Sequence, residues 1–131
     1  DFFKTSGEKS FRIEESKILN STVNNNQNFI LSTGGGVVLS PSNRTILFNN
    51  KNIKTIYLST KSNTIFNRIK NDKNRPLLLV QNPESEIERI LNSRKEFYEL
   101  AEFKIETDDK TIDEIAENII ELLKTKTNKR R

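Results

Sequence analysis

The chain has 131 residues, 33% of them hydrophobic, enough for one domain with a lean core. It contains neither Cys nor His, which excludes disulfides, zinc sites built on thiolate or imidazole, and catalysis by a histidine base or cysteine nucleophile. The formal charge of +4 is a property of the C-terminus: without Lys124, Lys126, Lys129, Arg130 and Arg131, 17 basic residues face 18 acidic ones, and no basic face remains for a nucleic acid.

Ser6 is placed to cap a helix entering at Gly7, and Phe11, Ile18, Leu19 and Val23 recur along one side of it until Asn24, Asn25 and Asn26 end it. Residues 29–32 read as a buried strand that runs into Thr33-Gly34-Gly35-Gly36 and then Val37-Val38-Leu39. Pro41 opens a short helix through Arg44 and Leu47 to Asn49, since proline is tolerated in a first turn. Residues 54–59, with Ile56, Tyr57 and Leu58, form the next strand, and 61–70, with Ile65, Phe66 and Ile69, the next helix. Residues 84–102 read as the longest helix, with Ile87, Ile90, Leu91, Phe97 and Tyr98 inward. A short strand at 103–106 follows, and a helix at 111–124 closes the chain with Ile112, Ile115, Ile119, Leu122 and Leu123. Strands alternating with helices predict an α/β fold, a parallel sheet covered on both faces in three layers. No apolar run is long enough to cross a bilayer and no signal-peptide core appears, so a soluble, cytoplasmic protein without membrane contact is expected.

Two segments invite a functional reading. Three consecutive glycines at the C-terminal end of a strand leave main-chain amides unscreened where open α/β sheets bind ligands; a flexible turn is the plain alternative. Residues 71–83 break the helix pattern with Asn71-Asp72-Lys73-Asn74-Arg75-Pro76-Leu77-Leu78-Leu79. A proline-stiffened loop carrying one arginine and an apolar triplet reads as a lid, polar at a phosphate and apolar where it excludes water.

In order, the chain shows Gly7-Glu8, Phe11-Arg12 with Glu15, Thr33-Gly34-Gly35-Gly36, Arg75-Pro76-Leu77-Leu78, and Arg94 with Tyr98, Glu99 and Ala101. This series resembles the shikimate kinase family over roughly residues 2–123. The resemblance implies a P-loop kinase fold of the nucleoside monophosphate kinase type and transfer of a phosphoryl group from MgATP to the 3-hydroxyl of shikimate, a step toward chorismate and the aromatic amino acids. It further implies that Arg12 and Arg94 grip the shikimate carboxylate and that Gly34, Gly35 and Gly36 meet the ring hydroxyls. Arg75 would reach the transferring phosphoryl as the catalytic lid residue, Leu77 would cover the substrate, and Arg68 would lie against the adenine. ATP and shikimate are the implied partners, Mg²⁺ the implied cofactor, and a monomer the implied complete form.

The chemistry of the residues agrees. A guanidinium matches a planar carboxylate with two parallel charge-assisted hydrogen bonds that an ammonium cannot copy. The chain is lysine-rich, 14 Lys against 8 Arg, yet places arginine at 12, 68, 75 and 94. Arg12 has Glu15 one turn on, placed to orient it. Arg44 and Arg89 read as solvated surface charges, and Tyr98 as a helix-packing residue.

Nowhere does the sequence contain GxxxxGK[ST], the loop that cradles ATP phosphates and positions Mg²⁺. No metal ligand is assigned within the chain. With no Met and a start that reads as the end of a helix, the chain is expected to be part of a longer product. The expected organisation is a kinase domain at 1–123, incomplete at its N-terminus and inactive alone, followed by a disordered basic tail at 124–131. The central strand of related kinases would lie between the strands at 29–32 and 54–59, and its absence would leave two ladders unpaired. Two alternatives remain: a kinase-like binding or scaffold module, and a related small-molecule kinase such as a gluconate kinase. The joint presence of Arg12, Arg75 and Arg94 argues against the first, and the glycine triplet with Arg12 and Arg94 fits shikimate better than gluconate.

Overall fold

Gly7 divides the first helix. Helix α1 spans Phe2–Asn25, but Gly7 takes φ 78° and ψ 168°, so the straight segment that carries Arg12 starts just after it. A side chain is strained at that φ. The structure is a computed structural model describing residues 2–25, 28–72 and 81–129, with side chains for 7–25, 28–72 and 81–124. It divides into two units, Asp1–Ile53 and Lys54–Arg131.

The first unit packs α1 against a 3-10 turn, Gly35–Leu39, and helix α2, Pro41–Asn49. Its core is Leu19, Val37 and Val38, with Asn43 buried among them. Ile18, expected inward, is 64% exposed. Adjacent helical residues point about 100° apart, so α1 buries Leu19 and turns Ile18 to solvent. The expected strand at 29–32 is not formed: Phe29, Ile30 and Leu31 carry no ladder, and Ile30 is 99% exposed. The apolar run has strand composition, but among the described residues no strand pairs with it, and unpaired extended backbone does not count as sheet.

In the second unit β1, Ile56–Ser59, pairs in parallel with β2, Phe103–Glu106, aligning Tyr57 with Lys104 and Leu58 with Ile105. Parallel strands require a crossover, and helices α3, Ser62–Ile69, and α4, Pro83–Tyr98, lie between them in the chain and pack on each other. Helix α5, Ile112–Lys129, packs on β2. Among the described residues of this unit Ile87 and Ile105 are the buried apolar ones, and the Tyr57 and Tyr98 rings stack with centroids 5.1 Å apart. Tyr98 thus packs between α4 and the sheet, as its sequence context suggests.

Helix α4 stops at Tyr98, short of the expected 102, because Glu102 N–H donates to Thr55 Oγ1 and Phe103 N–H to Thr55 C=O, drawing the chain into the sheet. Helix α5 runs on to Lys129, so the backbone beyond Lys124 is helical where a disordered tail was expected. Its alternation of Lys with Thr and Asn contains no Gly or Pro to stop a helix already begun. Ile112, expected inward, is exposed at the first residue of α5. No helix among the described residues is long and apolar enough to cross a membrane.

Candidate substrate site

The glycine triplet and the Phe11-Arg12 segment meet in the first unit. After Ser32 and Thr33 the chain enters the 3-10 turn, in which Val37 N–H donates to Gly34 C=O at 3.2 Å. Gly34 and Gly35 are exposed, whereas Gly36 is buried. A Cβ at Gly36 would overlap Nη1, Nη2 and Cζ of Arg12 together, so the guanidinium sits against that residue. A Cβ at Gly34 would come to 3.4 Å from Glu15 Oε2. The Arg12 side chain thus occupies the space that any side chain at 36 would take.

Arg12 is held from several directions. Its Nη1 donates to Glu15 Oε1 at 2.9 Å, its Nη2 lies 3.6 Å from Glu8 Oε1, and its Cζ sits 5.1 Å from the centroid of the Phe11 ring. The Arg12 side chain is 23% exposed and that of Glu15 16%, so this pair is shielded enough to hold its geometry, while Glu8 is largely solvated and yields readily. Nε is buried and unpartnered among the described residues. A guanidinium has five N–H donors, and one short bond to Glu15 leaves most of that capacity unspent. The cluster can therefore orient a planar anion: Glu15 fixes the fork, and donors beyond the one it accepts remain for a ligand.

Helix α2 braces the turn from behind. Asn43 Nδ2 donates to Val37 C=O at 3.0 Å, and Arg44 Nη1 donates to Val38 C=O at 2.7 Å. Arg44, read as a solvated charge, is partly buried and ties down main chain; Asn43 drew no attention in the sequence. A polar residue three positions into a helix begun by Ser-Pro gives no hint of burial unless the turn it faces is known.

The remaining predicted residues lie in the second unit. Arg94 is half-buried on α4 and has no hydrogen-bond or ion-pair partner among the described residues. Arg68 is exposed in the last turn of α3. Arg75 and Leu77 fall within residues 73–80, outside the described residues. Arg89 is the surface charge it was read as, paired with Glu86 one turn away on α4; the pair lowers the Glu86 carboxyl pKa and raises that of Arg89. At the C-terminal ends of β1 and β2, Asp108 accepts from Lys61 N–H at 3.2 and 3.3 Å. The pKa of Asp108 is lowered chiefly by a hydrogen bond from the Thr64 side chain. Asp108 thereby supplies the cap that α3 lacks at its own N-terminus, where Lys61 offers none.

The likeness to solved structures sets the class: the chain is a phosphotransferase with the P-loop kinase fold. A shikimate kinase from Acinetobacter baumannii in complex with shikimate superposes with a TM-score of 0.87 at 33% identity, covering 95% of this chain and 69% of that one. Shikimate kinases from Thermoanaerobacter pseudethanolicus and Caldicellulosiruptor bescii are 40% and 41% identical over 121 and 128 residues, or 92% and 98% of this chain and 68% and 73% of theirs. The family model described as shikimate kinase matches residues 1–124, and the chain belongs to the shikimate kinase family.

Proposed function

We propose that Arg12, oriented by Glu15 and laid on Gly36, receives the carboxylate of shikimate while the γ-phosphoryl group of ATP passes to the shikimate 3-hydroxyl. One observation carries this reading: a largely buried guanidinium is pinned to a glycine turn with most of its donors unspent. Held by Glu15 at 2.9 Å, such a group is pre-organised to receive a further planar anion. Glu15 removes rotational freedom from the fork before substrate arrives, so less is lost on binding. Gly34 and Gly35, exposed beside it, suit the ring hydroxyls as main-chain partners, whereas Gly36 serves by leaving room for Arg12.

Arg94 is proposed as the second carboxylate ligand, Arg68 as an adenine neighbour, Leu77 as a cover over the substrate, and Arg75 as the side chain that neutralises charge on the transferring phosphoryl. Among the described residues there is no group of three or more acidic, His or Cys side chains that could hold a metal ion; Mg²⁺ bound with ATP would neutralise charge on its phosphates. The phosphate-cradling GxxxxGK[ST] loop is likewise not among the 131 residues. A cytoplasmic monomer is the form proposed to act.

Steady-state kinetics of the active kinase tests the assignment. Arg12→Lys and Arg94→Lys should each raise the KM for shikimate about tenfold or more and that for ATP by less than about threefold, because a bidentate contact becomes a point charge. An equal or larger effect on ATP would overturn it.

A further inference from the structure

We infer that Asn43 is a positioning residue for substrate binding, acting through Val37 on the glycine turn; this rests on the reading of that turn as the shikimate floor. Asn43 is 1% exposed, the most deeply buried side chain among the described residues, and it is polar. Its position in α2 faces Val37 and Val38, where an aliphatic side chain would bury more apolar surface and suit a helix better. A carboxamide there costs desolvation, and its Oδ1 has no partner among the described residues to offset that cost. What the side chain does make is one bond, from Nδ2 to Val37 C=O at 3.0 Å.

Val37 is thereby held through both of its main-chain polar groups. Its N–H is committed to Gly34 C=O and its C=O to Asn43, so the residue that closes the turn onto Gly34 C=O is itself tied to the helix behind it. A 3-10 turn has poor hydrogen-bond geometry, and three glycines bring no side chains of their own to stiffen it. Arg44 holds the next carbonyl, Val38 C=O, from the same helix turn. Ser40 anchors the start of that helix by accepting from Asn43 N–H at 3.5 Å. The segment Ser40 to Arg44 thus fixes the backbone that Arg12 lies on and the substrate is proposed to meet.

The test is a split between two Michaelis constants in the active kinase, with thermal unfolding measured alongside. In Asn43→Asp the shape is kept and the donor is replaced by an acceptor facing Val37 C=O; in Asn43→Ser the donor no longer spans the gap. Each variant should raise the KM for shikimate about tenfold, with kcat and the KM for ATP within about threefold, as misplacement of a binding surface by a fraction of an ångström does. Arg44→Met should give a smaller shift in the same constant. Equal changes in both constants, an unchanged KM for shikimate in a folded variant, or loss of folding in both Asn43 variants would overturn the proposal. Arg12→Lys run in parallel separates the two failures. If it leaves the KM for shikimate unchanged, the site assignment is wrong; if it raises that constant and the Asn43 variants do not, only the positioning role is wrong.

Discussion

At the scale of single residues, the Arg12–Glu15–Gly36 contact turns a sequence pattern into a steric statement. Gly36→Ala places a methyl group inside the Arg12 guanidinium, so the arginine must leave its seat or the turn must shift. The expected outcome is a rise in the KM for shikimate of about tenfold or more with a milder loss of stability, checked by kinetics and thermal unfolding of the same variant. Glu15→Gln keeps shape and removes charge, and should raise the same constant less than Arg12→Lys does, because it loosens the fork without removing it. The pairing of Arg12 with Glu15 was legible from spacing alone, since residues three apart share a helix face. The seating of Arg12 on Gly36 was not, because it joins segments 24 positions apart and depends on the path of the 3-10 turn. The roles of Asn43 and Arg44 were hidden for the same reason: side chains that serve a turn's carbonyls look like ordinary polar residues until the turn has a shape.

At the scale of elements, helix ends carry much of the local definition. Helix α5 begins in a reciprocal box, with Thr111 N–H donating to Glu114 Oε1 at 2.9 Å and Glu114 N–H to Thr111 Oγ1 at 3.1 Å. Thr111→Ala should cost about 1 kcal/mol, read from urea unfolding. Hydrogen bonds from the Thr111 main-chain N–H and then its side chain hold the Glu114 carboxyl below its ordinary 4.5, and those around Asp108 hold it below 3.8. A carboxyl depressed on folding stabilises the fold at pH values above its unfolded pKa, and that stabilisation is lost as pH falls through the folded value. Stability should therefore be flat from neutral pH to about 5 and decline below about 4, with Asp108→Asn and Glu114→Gln each flattening the acid limb. Element types were legible where a period of 3.6 ran unbroken, as in α3 and α5, or where a proline opened a first turn, as in α2. Boundaries failed where tertiary pairing intervened, as where Thr55 ends α4 early. The run at 29–32 has a strand's composition, but a strand is a relation between two segments, and its own sequence cannot supply the partner.

At the scale of the molecule, a parallel sheet with helical crossovers and membership of the shikimate kinase family agree with the order of motifs along the chain. The glycine turn and Arg12 occupy one unit, while Arg68 and Arg94 occupy the other. The central claim is that Arg12 and Arg94 serve one ligand in the active kinase. A crystal structure of the active kinase with shikimate and an unreactive ATP analogue tests it directly. The account predicts the shikimate carboxylate on the guanidinium of Arg12 with Arg94 alongside, and ring hydroxyls on the main chain of Gly34 and Gly35. Shikimate bound with its carboxylate away from Arg12, or with Arg12 turned off Gly36 toward solvent, would contradict it.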